Sequence, residues 1–511
     1  MGVRFSDDEL KEILPDIEDW IKGFEAVRSM PINERTAPAM VFVPKSSRRL
    51  SGRPGVSVKT RAVGRLAKPM TDEDLAFLSV RELGYLMKNG DVTAVQLTEL
   101  ALSRLSRYGD KLLCVITLLA DDARERAKKL DQEMAEGQYR GPLHGIPCGV
   151  KDLFAFHHGP TTWGAEPYEN QSFDYDAAVI EKLNEAGAIV VAKLSLGALA
   201  QDDHWFKGRT KNPWNPSEGS HGSSAGSASA TAAGLVPFAI GTETLGSICS
   251  PSNRCRVTGF RPTFGRVSRY GAMELSCTMD KVGPICRDVE DCALVFAAIA
   301  GADQRDRCSV DRPFHYSPEL DLSTLKIGYA IDPKEDPNNL SRLTQDDYLK
   351  LLVKLGANPK PVRVTPADSA LVSILEVEAS SAFDSCVRSG LIHQLKNSNW
   401  PEDFRASRFV SGVDYLQAMR ARSLLMDSFE REFGDFDMIV APGVGGALLT
   451  ITNLTGHPQV LIPFGTDEKG ESQSVSFVGR IYEEAPLLAA AAKFQQAAGF
   501  QRLRPDLSKL D

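Results

Sequence analysis

"SHGSSAGSASATAAGLVPFAIG", Ser220 to Gly241, is the stretch on which the reading of this chain turns. From Gly219 to Gly234 every residue except His221 and Thr231 is Gly, Ser or Ala. The Ala-rich part reads as a helix, and "LVPFAIG" (235–241) as a short buried strand behind it. Glycine permits unusual backbone angles and close approach, and the serines offer hydroxyls. Three uses compete: a flexible linker, a phosphate-cradling loop, or the floor of an active site. The phosphate loop fails, because no G-x-x-x-x-G-K-[ST] occurs and no G-x-G-x-x-G follows a strand and opens a helix here. Gly222-Ser-Ser-Ala-Gly226 matches the nucleophile elbow G-x-S-x-G, with Ser224 at its centre and His457 as a base. An elbow needs a strand directly before it, and "NPWNPSEGSHG" has no strand character.

The same helix and strand alternation extends outward. Ser79-Val-Arg-Glu82 and Thr93-Ala-Val-Gln96 are capping boxes, each opening a helix. The second helix carries Leu97, Leu100, Ala101, Leu105 and Tyr108 on one face. "CVITLLA" (114–120) reads as a strand and 121–136 as a helix. A helix over 177–186 precedes the strand "GAIVVAK" (187–193), and "LKIGYA" (325–330) and "FDMIVAP" (436–442) are further strands. Helices alternating with buried strands predict an α/β fold: a mixed, largely parallel twisted sheet with helices on both faces.

Residues 1–70 are expected to pack on this core as a helix and a strap. The helix, Asp7 to Val27, has Leu10, Ile13, Leu14, Ile17, Trp20, Ile21 and Phe24 on one stripe, with Pro15 disturbing its first turns. Residues 31–68, rich in Pro, Ser, Gly and Arg, read as extended. Residues 71–511 are expected to form a single domain, with a less regular subdomain or insertion at about 310–430 over one edge.

Lys and Arg number 59 against 67 Asp and Glu, a net charge of −8, which argues against a dedicated nucleic-acid binder. No apolar run approaches the roughly 20 residues of a membrane span. "MGVRFSDDEL" lacks the apolar region of a secretory signal. The nine cysteines show no CxxC and no metal-type spacing with the eight histidines. The expectation is a cytoplasmic protein with reduced thiols and no metal or cofactor.

Three segments carry chemistry that a plain core does not need. "GPLHGIPCGVKDLF" (141–154) is broken by Gly and Pro and holds one lysine, Lys151. That lysine is either half-exposed on a loop, or buried and so turned into a base at neutral pH by desolvation. The opening stretch is the second segment. The third, "GTETLGSICSPS" (241–252), is a turn after a strand, where backbone N–H groups converge on an anion, and Ser247 sits in it.

Taken in order, these segments resemble the amidase signature family. The family's "GxPxxxKD" is matched by Gly145-Ile-Pro147 through Lys151-Asp152, its "NPWN" by Asn212 to Asn215, and its "GTxxxGSI" turn by Gly241 to Ile248. The spacings agree as well: 72 residues from Lys151 to Ser223, and 24 from Ser223 to Ser247. "GFRPTFGRVSRYG" (259–271), "DKVGPICR" (280–287) and "NLTGHPQVLIPFG" (453–465) extend the likeness over about 75–500. The resemblance implies an amidase-signature core and a Ser–cis-Ser–Lys triad. In it Ser247 is the nucleophile, Ser223 the relay and Lys151 the base. The N–H groups of Thr244, Leu245, Gly246 and Ser247 form the oxyanion hole, with Ser224 and Glu243 in support. A small-molecule amide, ester or carbamate (a urethane among them) is the implied substrate, and a homodimer is implied as an oligomeric state. Phe154, Trp163 and Trp205 are candidates for the substrate pocket.

The chain departs from the family's common turn. Glu243 replaces Asp, Leu245 replaces Gly, Cys249 stands where an Arg is usual, and Arg256 where a Gly is. In the family the acid and that Arg are often paired, so Glu243 needs another partner, with Arg254 and Arg256 as candidates. A stand-alone amidohydrolase is the first expectation. The alternatives are the glutaminase subunit of a tRNA-dependent amidotransferase, for which the Arg-rich 405–423 offers a cation or a solvated helix face, and a catalytically weak member acting as a scaffold.

Overall fold

Both capping boxes form. The Ser79 hydroxyl accepts from the Glu82 N–H while the Glu82 carboxylate accepts from the Ser79 N–H, opening α1, Val80–Lys88. Thr93 and Gln96 open α2, Ala94–Leu112, in the same way. Leu97, Ala101, Leu105 and Tyr108 of α2 are buried and Leu100 is half-buried. α3, Ala120–Ala135, packs beside it. These features belong to a computed structural model that describes residues 40–44 and 55–510, together with Asp7, Asp8, Lys11, Leu14, Pro15 and Glu18. Apart from those six positions, the helix expected over 7–27 lies outside the described residues.

Eleven strands share one sheet. In chain order they are β1 (Val115–Leu118), β2 (Pro147–Lys151), β3 (Ile189–Leu194) and β4 (Phe238–Glu243). Then come β5 (Thr258–Arg261), β6 (Lys281–Cys286), β7 (Ile327–Ile331) and β8 (Lys360–Arg363), and last β9 (Met438–Pro442), β10 (Gln459–Thr466) and β11 (Ser472–Gly479). Their spatial order is β8-β7-β9-β11-β10-β5-β6-β4-β2-β3-β1. The sheet is mixed, with parallel pairing in two blocks. β2 is parallel to both β3 and β4, and β7 to both β8 and β9. Antiparallel pairs join the blocks and add β1 at one edge. Every residue of β2, β3 and β6 is buried, so helices and loops cover both faces there.

β2 is the strand that Gly and Pro concealed. Pro147 is its first residue, where the missing N–H is tolerated. At Gly149 a Cβ would fall 2.3 Å from Leu194 Cδ1, so glycine leaves the room that the Leu194 side chain of β3 occupies. The Ala-rich helix is α4, Ala225–Ala232, buried at every position. The turn after β4 runs into α5, Cys249–Cys255.

The region 310–430 is more than a cover, because it supplies the edge strand β8 and its neighbour β7. Its helices α6 (Ser373–Ala382) and α7 (Gly412–Phe433) grip the segment before β6. Glu378 of α6 accepts from the hydroxyls of Ser276 and Thr278. Arg422 of α7 donates to Thr278 Oγ1 (2.6 Å) and to the carbonyl of Leu454 (2.6 Å) in α8, Ala447–Thr455. Arg422 is buried, which corrects the solvated-face reading for this arginine of 405–423.

The Phe42 ring lies 3.8 Å from the Arg422 guanidinium, and Val56–Val58 pair in parallel with Phe314–Tyr316. All nine cysteines are free and buried. Among the described residues no helix is long and apolar enough to cross a membrane.

Candidate active site

Lys151 ends β2 with no exposed surface. Its Nζ donates to Ser223 Oγ (2.8 Å), Thr242 Oγ1 (2.9 Å) and Ser224 Oγ (3.2 Å). Burial pushes this amine from 10.5 down to about 7, against the pull of Asp280 and Glu243. Lys151 is therefore buried and not half-exposed on a loop.

Ser223 follows a cis peptide bond with Gly222. A Cβ on residue 222 would lie 1.8 Å from the Asp202 carbonyl oxygen, so the loop closes only around glycine. Ser224, the first residue before α4, is tied to β4: its hydroxyl donates to the Thr242 carbonyl (3.0 Å) and accepts from the Thr242 N–H (3.1 Å). The segment ahead of it does contain a strand, Asn215–Gly219, contrary to the sequence reading. Among the described residues that strand pairs with Lys211–Asn212 alone, in a ribbon separate from the main sheet. The elbow's other requirement is missing too: the His457 ring is engaged by Thr455 Oγ1 (2.7 Å) and Glu430 (3.3 Å).

Ser247 lies half-buried in the turn between β4 and α5, and its carbonyl accepts from the Ser224 N–H (3.1 Å). That bond joins the serine loop to the turn. Within the turn, Gly246 has φ +90°, a conformation that favours glycine. Among the described residues, the N–H groups of Thr244, Leu245, Gly246 and Ser247 donate no backbone hydrogen bond. Four consecutive donors thus stand uncommitted around one turn.

Glu243 closes that turn from behind. Its Oε2 accepts from the N–H groups of Ile248 and Cys249 (both 2.9 Å), at the start of α5. Its Oε1 accepts from Arg261 Nη1 (2.5 Å) and Asn453 Nδ2 (2.8 Å). Burial alone would raise this carboxyl, but Arg261, the Cys249 N–H, Lys281 and Asn453 hold it at about 2. The partner is therefore Arg261 of β5, which corrects the expectation of Arg254 or Arg256. Arg254 instead pairs with Glu218, and Arg256 lies 4.6 Å over the Trp214 ring. The acid–arginine pair behind the turn is intact, with its cation supplied from another strand.

A second buried lysine stands nearby. Lys193 of β3 pairs with Asp152 (2.8 Å) and donates to Thr161 Oγ1 (2.7 Å). Asp152 also accepts from the N–H (2.8 Å) and hydroxyl (2.6 Å) of Thr162.

A cavity of about 440 Å³ opens beside Thr242 and Thr244 and is walled by Leu153, Arg269, Tyr270 and Glu274 among others. None of the three predicted pocket aromatics is on its wall. Phe154, Trp163 and Trp205 are 0%, 2% and 4% exposed, all core. Trp163 packs on Tyr168 and Phe383, and the Trp205 indole N–H donates to the Leu113 carbonyl. Leu153, next to Phe154, forms the wall instead. Sequence reasoning also missed Arg261 and Glu274, for which no local signal exists, and Thr242, which stood unused inside the quoted turn.

The amidase family profile matches residues 96–451. AmiD of Mycobacterium tuberculosis, provisionally named an amidase, is 30% identical, covering 86% of this chain and 98% of AmiD. A component of the glutamyl-tRNA(Gln) amidotransferase of Geobacillus kaustophilus is 31% identical, covering 84% of this chain and 99% of that component. The solved peptide amidase from Stenotrophomonas maltophilia superposes with a TM-score of 0.72 at 27% identity, covering 84% of this chain and 98% of that one. This chain belongs to the amidase family, the amidase-signature hydrolases of carbon–nitrogen bonds.

Proposed function

We propose that this protein is a stand-alone amidohydrolase that cleaves a small carboxylic amide through an acyl-enzyme on Ser247. The observation that carries the reading is the 2.8 Å bond from Lys151 to Ser223, made by an amine that burial holds near pH 7. A serine hydroxyl is a weak nucleophile until a base takes its proton. Neutral Lys151 takes it by way of Ser223, and Ser247 Oγ attacks the amide carbon. The oxyanion is met by the N–H groups of Thr244, Leu245, Gly246 and Ser247, each such donor being worth roughly 3–4 kcal/mol of barrier. Ser223 then hands a proton to the leaving amine, and water releases the acid by the same route. Carbonyl chemistry of this kind also admits esters and carbamates.

The relation to the tRNA amidotransferase component supports a second reading, which needs partner chains and a cation for the glutamine carboxylate. Of the three cavity-wall arginines, Arg269 is engaged by Asp306 and Arg305 by Glu181 and Asp303, while Arg307 is exposed to solvent; among the described residues the wall thus offers no buried free arginine for a glutamine carboxylate, and this favours the stand-alone enzyme. The intact Glu243–Arg261 pair removes the reason for a scaffold reading. The test is labelling with a serine-reactive phosphonate, with the adduct mapped by mass spectrometry. Ser247 is the expected site. An adduct on Ser224 overturns the assignment, and two stable partner chains in a pull-down would favour the amidotransferase.

A further inference from the structure

The charged side chains on the cavity wall are mostly spoken for. Asp280 accepts from the Thr244 hydroxyl (2.5 Å) and from the N–H groups of Leu275 (2.8 Å) and Ser276 (2.9 Å). Asp306 is held by Arg269, and Arg305 by Glu181 and Asp303. The buried Lys281 donates to the Met279 carbonyl. Arg307 is exposed to solvent. Glu274 is different. It is half-buried on the wall, and among the described residues its side chain has no hydrogen bond or ion pair.

Backbone bonding fixes its place. The Met273 N–H donates to the Leu153 carbonyl (2.9 Å), two residues beyond Lys151, and Leu275 is held by Asp280. The carboxyl is thus carried between the catalytic strand and the residue that holds Thr244. A ligand that fills the cavity displaces solvent from this half-buried carboxyl and must itself supply the donor.

We propose that Glu274 is a specificity residue that receives a positively charged group, a primary ammonium or its like, on the molecule occupying the catalytic cavity. The inference rests on the amidase reading of that cavity and narrows its substrate class to cationic amides. The local electrostatics agree. Burial, then Asp280, Glu378 and Asp306, push Glu274 up to about 7, with Arg269 opposing. An arriving cation removes that penalty by pairing with the ionised carboxylate. The neutral edges of the wall, Leu153, Tyr270 and Met273, suit an apolar stem leading to the charge.

The test is binding rather than turnover. Primary alkylammonium ions of increasing chain length, and alcohols of matching length, are titrated into the full-length protein by calorimetry. At the best length the ammonium should bind roughly tenfold tighter than its alcohol, the weight of one charge-assisted hydrogen bond. Glu274→Gln should erase that preference and Glu274→Asp should retain part of it. Equal affinity of the two series in the unaltered protein overturns the proposal, and that comparison needs no variant to fold. So does a preference that survives in Glu274→Gln. Because the readout needs no catalysis, it fails separately from the amidase reading, which fails if phosphonate leaves Ser247 unlabelled.

Discussion

Lys151 and Lys193 stand on neighbouring parallel strands, and neither has any exposed surface. Val150 is opposite Lys193 and Lys151 is opposite Leu194, so the two side chains point to opposite faces of the sheet. Burial disfavours the charge on both, and both are lowered from 10.5. What separates them is the neighbour. Lys193 touches the carboxylate of Asp152, while Lys151 touches three hydroxyls. The acids near Lys151 are committed elsewhere, Glu243 to Arg261 and Asp280 to Thr244 and two N–H groups. One lysine is therefore a structural cation and the other, on the proposed mechanism, a base. Desolvation supplies the tendency and the partner decides the role.

The sharpest way to break this contrast is to remove each amine with methionine. Lys151→Met should lose roughly ten-thousandfold in kcat/KM on a neutral anilide, the scale seen when a triad member is removed, with the fold retained by circular dichroism. Activity above a hundredth of the unaltered enzyme would mean that Lys151 is not the base. Lys193→Met should do the opposite. It strands Asp152 as a buried unpaired charge and should cost about 3–5 kcal/mol in urea unfolding, while turnover per folded molecule stays within a few-fold.

A pH series sharpens the same point. Activity should climb about tenfold per pH unit and level off near pH 7, as Lys151 loses its proton. Stability carries a matching signature. The folded value lies below the unfolded 10.5, so between about 7 and 10.5 the unfolded chain binds the extra proton. The penalty from Lys151 is therefore full below pH 7 and fades as pH rises towards 10.5. The stability gap between Lys151→Met and the unaltered protein should shrink over that interval by a few kcal/mol. A gap that stays constant would mean that the amine is not desolvated.

The smallest effect belongs to Leu245→Gly. The proposed hole uses backbone N–H groups, so kcat should change by less than about threefold. A change of a hundredfold would assign the Leu245 side chain to the acyl pocket.

The helices were legible because their signals are local. Two capping boxes and a stripe of apolar residues lie within a few residues of each other, and α1 and α2 form as read. The proposed triad of Lys151, Ser223 and Ser247 was legible because a family spacing carried it, and the chain brings Lys151 and Ser223 together across 72 positions. β2 was hidden because Pro147 and Gly149, residues that usually break a strand, serve here as its first residue and as a point of close approach. Arg261 was hidden for another reason. It reaches Glu243 only because β6 lies between β4 and β5, and sheet order leaves no periodic mark in the sequence. The pocket aromatics failed on the same ground: a large ring near the lysine in sequence faces the core as readily as the cavity.

The nine buried thiols have a use of their own. Burial pushes Cys114 up to about 12, and it raises Cys148, Cys249 and Cys255 as well. A thiol-specific reagent needs a thiolate it can reach, and the folded chain presents almost none. Labelling is then confined to molecules caught partly or wholly open. With cysteines on β2, α5 and β6, and Cys114 just ahead of β1, residue-by-residue labelling times record which part of the sheet opens first.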